Sequence, residues 1–200
     1  SLISLANARF DLGRVRAAAT VYRRALRLVE HCENTNDIIT LHYNLGNCYD
    51  KLEQFREAEE SYQRGLELAE RGLNPRFKAR GLMDLGRCQF HQGRHDEARS
   101  ILMQSRAIGM THDYRSETFH SSYYLWRIAL EQRVGSEAVE LFRALKRLRM
   151  RVDQRSEEVV SFDAYLTEVR SRKRRQGGHD ADDPEARSSP SSPPPARDPE

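Results

Sequence analysis

Asn7, Asn47, Arg87 and Arg127 recur at one spacing along this 200-residue chain, each forty residues after the last. The chemistry of these residue types is recognition. An asparagine amide donates and accepts at once, so stacked amides can clamp the backbone of an extended peptide whatever side chains it bears. Guanidinium groups favour carboxylates. Tyr43, Asn44, Arg80, Met83, His120, Tyr123 and Tyr124 stand on the same segments, which grade from amide-rich to cationic. A second use stays open from the residues alone: Asn47 bonding within or between helices, and Arg87 and Arg127 pairing with Asp84 and Glu131.

Catalysis finds little support. The chain has no glycine-rich phosphate loop, no Gly-x-Ser-x-Gly elbow and no Cys-x-x-Cys pair. His91 and His95 have i to i+4 spacing, but Gly93 lies between them at a predicted turn, and no glutamate follows His91 as a zinc-protease helix requires. His31, His42, His112 and His120 are scattered over different places in the repeat. The reading is therefore non-catalytic, with no cofactor and no metal.

The elements that position these residues follow from an internal period. Ala18, Ala58, Ala98 and Ala138 are forty residues apart, as are Leu5, Leu45, Leu85 and Leu125, while Tyr22, Tyr62, Leu102 and Phe142 share another column. A fixed step means that each unit covers the apolar face of its neighbour. Gly13, Gly93 and Gly135 fall near the turn of three units, so each unit reads helix, tight turn, helix. Apolar periodicity and capping signals place helices near 2–11, 15–31, 36–52, 55–72, 75–91, 95–109, 114–132 and 136–151. Asn74 before Pro75 is a good N-cap, and Asp37, Asp113 and Ser136 are candidate starts. Small Gly46 and Ala58 let the two helices of a unit approach, and the Tyr62 ring one turn after Ala58 fills the space beside them. In the fourth unit Trp126 stands where a small residue is expected and Ala129 where a ring is. That is either a swap of volumes or a splaying of the helices.

The pattern resembles the tetratricopeptide repeat (TPR): Leu45, Gly46 and Tyr49 on the first helix, then Ala58 and Tyr62 on the second, stand at that family's spacing. The likeness is to the long variant of about forty residues, seen in peptide-sensing helix-turn-helix regulators and in scaffold proteins. It implies an all-α fold, a right-handed α-solenoid of four TPR-like repeats over residues 1–152, the first truncated at its N-terminus. It also implies a concave groove lined by the first helix of each unit, where Asn7, Tyr43, Asn44, Asn47, Arg80, Arg87, His120, Tyr123 and Arg127 would meet a protein or extended peptide, acidic ones included. Tyr123 and Tyr124 are adjacent, and successive helical positions turn by about 100°, so they are expected to divide between core and groove. The two-carboxylate clamp of chaperone-tail binders would map to Ile3, Asn7, Asn44, Arg80 and Asp84, and Ile3 and Asp84 break it. In the regulator variant the array is the sensing half of a longer chain, with a DNA-binding domain before Ser1. Ser1 opens without methionine and partway through a helix, in keeping with an upstream extension.

A ninth helix, near 155–173 in a segment 153–175, puts Val159, Phe162, Tyr165, Leu166 and Val169 on one stripe, as a terminal cap needs. Residues 176–200 hold six of the seven prolines and no apolar period, the composition of a disordered tail. Net charge is +3, with +7 on residues 1–179 and −4 on 180–200. Two basic clusters, Arg143 to Arg155 and Arg170 to Arg175, offer the competing reading of a helical-repeat nucleic-acid binder, although base stacking wants more rings than nearby Phe142 and Tyr165. With 32% charged residues and a mean hydropathy of −0.79, no apolar run spans a membrane. Cys48 and Cys88 are one repeat apart, too far for a disulfide across helices spaced at about 8–10 Å. Buried thiols of that kind suit a cytoplasmic location.

Overall fold

The computed structural model describes residues 1–29 and 35–175. The expected disordered tail, 176–200, lies outside the described residues, and so does the predicted end of the second helix. Regular structure among the described residues is helical: α1 Leu2–Asp11, α2 Val15–Val29, α3 Thr35–Lys51, α4 Phe55–Arg71, α5 Pro75–His91, α6 His95–Thr111, α7 Arg115–Glu131, α8 Gly135–Leu148 and α9 Glu157–Arg175, with a 3-10 turn at Arg149–Arg151 after α8. The helices pair as α1/α2, α3/α4, α5/α6 and α7/α8, and the pairs stack in chain order. The first helices also pack on one another, α3 on α5 and α5 on α7, and so form the inner side of a solenoid.

The alanine column lies in matching surroundings: Ala18, Ala58 and Ala98 are fully buried and Ala138 is 5% exposed. Here the two helices of a unit touch. A Cβ added at Gly46 would stand 2.5 Å from the Tyr62 ring, and one at Gly86 would stand 2.7 Å from Leu102. The small residue and the large one therefore share a single space. Leu45, Leu85 and Leu125 are buried, whereas Leu5 of the first unit is 46% exposed because no earlier helix among the described residues lies against it.

The turns are periodic as well. Gly13, Glu53, Leu73, Gly93, Asp113 and Arg133, twenty residues apart where described, all have φ between 48° and 73°. In each of the four turns within a unit the following amide reaches back five residues, as Arg14 to Arg9 (2.8 Å), Gln54 to Tyr49 (2.9 Å), Arg94 to Gln89 (3.0 Å) and Val134 to Ala129 (2.8 Å). This is the Schellman ending, in which a left-handed residue lets orphan carbonyls find donors. Four expectations need correcting, two of them because Asp37 is the third residue of α3 and Ser136 the second of α8, so neither is a cap. Gly135 is the first residue of α8, and the left-handed place in that unit belongs to Arg133. Asp113 is likewise a turn residue rather than a cap, its carboxylate paired with Arg115 at 2.8 Å. Asn74 does cap α5, accepting from the Phe77 amide at 3.3 Å.

Trp126 resolves the anomaly of the fourth unit. Its ring is 2% exposed and stands 5.5 Å from Phe162 and 4.9 Å from Tyr165 of α9, and 6.3 Å from Phe142 of α8. Large rings fill the space beside α7 and α8, and α9 is seated on them through Val159, Phe162 and Leu166.

A candidate peptide-binding groove

The recurring column forms bonds between and within repeats. On α1, Asn7 Oδ1 accepts from the Tyr22 hydroxyl at 2.5 Å and from Asn44 Nδ2 at 3.5 Å. On α3, Asn47 Oδ1 accepts from the Tyr62 hydroxyl at 2.8 Å and from Arg87 Nη2 at 2.7 Å. Arg87 then binds Asp50 through Nε (3.2 Å) and Asp84 through Nη1 (3.1 Å). Arg80 donates to Asn44 Oδ1 at 2.8 Å and lies 3.7 Å from Asp84. Arg127 reaches Tyr123 Oη at 3.4 Å and Glu131 at 3.8 Å, and its guanidinium lies 5.3 Å from the centre of the Phe90 ring. The pairings of Arg87 with Asp84 and of Arg127 with Glu131 are therefore both present.

These residues differ in what they leave for a ligand. Asn7 is exposed, and Asn44, Asn47, Arg80, Arg87, His120 and Arg127 are half-buried. Tyr43 is fully buried, so its ring offers no groove surface. It packs on Gly65 and Gly81, and its hydroxyl donates to the Phe77 carbonyl at 2.9 Å. Tyr123 is 4% exposed and Tyr124 6%, so both rings are core, contrary to the expected division; only their hydroxyls reach polar partners. A signal for Tyr43 was available: its column holds Ile3, Met83 and Tyr123, large and mostly apolar in every unit.

Charge is unevenly compensated along this seam. Burial raises the Asp50 carboxyl, but the His91 hydrogen bond and the Arg87 charge outweigh it and leave Asp50 below its ordinary value. Asp84 goes the other way: burial pushes it up, and Arg87 and Arg80 only partly offset that. Its Oδ2 has no hydrogen-bond partner. Burial also opposes the charge on Arg87, yet Tyr62, Asp84 and Asp50 hold that guanidinium well above its usual value. Burial lifts the Cys48 and Cys88 thiols to about 12, which makes them inert apolar filler.

Part of this face is already covered, which the repeat columns do not signal. The first turn of α9 lies on the inner side: Glu157 pairs with Lys51 of α3, and Glu158 accepts from Tyr124 Oη at 2.9 Å and lies 3.5 Å from His120 Nε2. The missed residues are thus Lys51, Asp50, Glu157 and Glu158. One clue existed for Glu158, which precedes Phe162 by one helical turn on the apolar stripe.

The basic clusters are partly neutralised, Arg149 pairing with Asp163 at 2.9 Å and Arg172 with Glu168 at 2.5 Å, while Lys146 keeps its charge over the Phe142 ring. Among the described residues no group of three or more His, Cys, Asp or Glu side chains is arranged to hold a metal, and no helix is long and apolar enough to cross a membrane. His91 turns to Asp50 and His95 to Glu131, 3.1 and 3.3 Å away.

Comparison with known proteins agrees with this geometry. Two tetratricopeptide repeat family models match, over residues 1–71 and 42–109. Outer dynein arm-docking complex subunit 4 of Danio rerio is 26% identical over 159 residues, covering 78% of this chain. This chain spans 32% of that relative's length. Among solved structures, aspartyl phosphate phosphatase F from Bacillus subtilis superposes with a TM-score of 0.73 at 13% identity, covering 81% of this chain and 42% of its own. A Rap protein complexed with competence and sporulation factor gives 0.71 at 17% identity, covering 86% and 46%. A Podosopora anserina array of nearly identical TPR-like repeats gives 0.64 at 19% identity, covering 89% and 96%. With the repeat columns, the left-handed turns and both family models in agreement, the chain belongs to the tetratricopeptide repeat family.

Proposed function

We propose that this chain is a non-catalytic interaction module whose inner face receives an extended, acidic segment of a partner protein. The observation that carries this reading is the line of amides and cations along the first helices, Asn7, Asn44, Arg80, Asn47, Arg87 and Arg127, with Lys51 and His120 at its edge. Each unit adds one step of polar groups to a continuous trough, which suits a ligand that is itself extended and periodic. The Rap protein solved with its competence and sporulation factor has the same fold, which supports ligand sensing by such an array as part of a longer regulator.

The test is fluorescence anisotropy with a labelled glutamate-rich peptide, a matched glutamine-rich peptide and a random DNA duplex. The glutamate-rich peptide is expected to bind, and Arg80→Glu to weaken it. Arg80 is suitable because its side chain is 32% exposed and its loss leaves the Arg87 network standing. Equal binding by Arg80→Glu, with an unchanged melting temperature, would remove the groove from the proposal. Tighter, steeply salt-dependent binding of the duplex would favour the basic clusters instead.

A further inference from the structure

We infer that Lys51, His120 and Tyr124 form a receptor site for two adjacent carboxylates, and that Glu157 and Glu158 of this chain are its resident occupant, which an acidic partner segment must displace. This deepens the reading of the groove as a binding face, and rests on it.

Three observations carry the inference. The first is geometry. Glu157 and Glu158 come from the last helix, yet their partners are on α3 and α7, so the first turn of α9 bridges the trough between the second and fourth units. The second is composition. The trough beneath carries Lys51, Arg80, Arg87, His120 and Arg127, of which Arg80 and Arg87 face Asp84 and Asp50 and Arg127 faces Glu131, and the segment laid across it brings two consecutive carboxylates to Lys51, His120 and Tyr124. A consecutive acidic pair is the chemistry that this surface already accepts.

The third observation is how α9 is held. Its middle is fixed by Val159, Phe162 and Leu166 among Phe119, Trp126, Leu141 and Leu145. At its tip Glu158 is 11% exposed and held by the Tyr124 hydroxyl and His120, while Glu157, 73% exposed, meets a Lys51 that is 39% exposed. Ion pairs that exposed contribute little and exchange easily. The five residues between the 3-10 turn and α9, 152–156, are hydrogen-bonded, and unwinding the first turn of α9 releases the Ser156 cap on the Val159 amide (3.3 Å). A partner can therefore take the Lys51 place first and, as the first turn of α9 unwinds, the largely buried Glu158 place, while Phe162 stays seated. The tip then acts as a threshold: weakly acidic segments lose to it, and segments with paired carboxylates win. Specificity of this kind comes from the competitor as much as from the receptor.

The test uses the full chain and a labelled peptide carrying one Glu-Glu pair in a Gly/Ser background. Affinity is measured for the unaltered protein, for Glu157→Gln, for Glu157→Gln/Glu158→Gln and for Lys51→Gln. If the tip occupies its site roughly nine-tenths of the time, its removal in the double variant tightens binding by about tenfold. Glu157→Gln alone gives a smaller gain, and Lys51→Gln weakens binding. The single variant keeps the test open if the double variant unfolds. Affinity unchanged in both glutamine variants, with binding still weakened by Arg80→Glu, overturns the resident-occupant proposal and leaves the module reading intact. Absence of Glu-Glu peptide binding in the unaltered protein and in every variant overturns both.

Discussion

Arg87 donates to Asn47 Oδ1 at 2.7 Å, which joins two residues that hold the same place in successive repeats. Polar groups at one column thus serve first as a bond between units. Because Arg87 also pairs with Asp50 and Asp84, Arg87→Met leaves these buried carboxylates with only His91 and the 3.7 Å contact of Arg80. The expected loss is on the order of 3–5 kcal/mol. Arg127 has longer contacts, at 3.4 and 3.8 Å, and Arg127→Met should cost about 1 kcal/mol. Urea denaturation of both variants checks this, and equal losses would contradict the ranking.

Tyr43 locks two units together through glycine. A Cβ at Gly65 would stand 2.3 Å from its ring, and one at Gly81 would stand 2.3 Å from its hydroxyl. Alanine in a helix normally gains up to about 1 kcal/mol over glycine. Overpacking a rigid ring costs about 1–3 kcal/mol. Gly81→Ala should therefore lower the melting temperature, and a rise would show that the seam is looser than described. By the same reasoning Ala98→Leu, at a fully buried place, should cost about 1–3 kcal/mol.

Trp126→Gly restores the small residue that the other units carry, and it should destabilise the protein. Trp126 fills the space between Phe142, Phe162 and Tyr165, so its removal opens a cavity worth about 3–5 kcal/mol. Heat denaturation followed by circular dichroism reads the loss, and near-ultraviolet signals from the tyrosines report whether α9 leaves the array. A gain in stability would mean that the repeat pattern outranks the α9 contact.

Helix ends and the alanine and leucine columns were legible in the sequence because each is repeated, and a repeated residue reports the same contact several times. The Gly46/Tyr62 seam was legible for the same reason. The site was less so. Tyr43 and Asn44 are adjacent on one helix, and only the apolar character of the whole Tyr43 column separates core from groove. The seat of α9 was illegible because it occurs once: a terminal helix has no counterpart from which its position can be read. Trp126 signalled that something differed there, without saying what filled the gap.

Turn residues give an independent check. Glu53 occupies a left-handed place, φ 57°, that Gly13 and Gly93 fill in neighbouring units. A side chain in that conformation costs about 1–2 kcal/mol, against about 0.5–1 kcal/mol for the extra freedom of an unfolded glycine. Glu53→Gly should therefore be neutral to stabilising by roughly 1 kcal/mol, and Gly93→Ala clearly destabilising. Equilibrium unfolding of the pair decides it; a loss in both would mean that the left-handed turn is not what sets their stability.

Acid should separate the two buried carboxylates of the groove. Burial raises Glu158, but His120, Arg87 and the Tyr124 hydroxyl outweigh that and hold it below its ordinary 4.5. Its folded value is thus depressed, so its stabilisation is complete above about pH 4.5 and is lost as pH falls through the lowered value. The stability gap between the unaltered protein and Glu158→Gln should be level near neutrality and close in acid. Asp84 is raised by burial, so its ionised form is a cost near neutrality, relieved as pH falls toward its ordinary 3.8. Asp84→Asn should accordingly be the more stable protein near neutrality and lose that advantage in acid. Urea midpoints from about pH 3 to about pH 7 test both signs, and gaps that run in the same direction would contradict the assignment of one carboxylate to a cationic seat and the other to an under-compensated core.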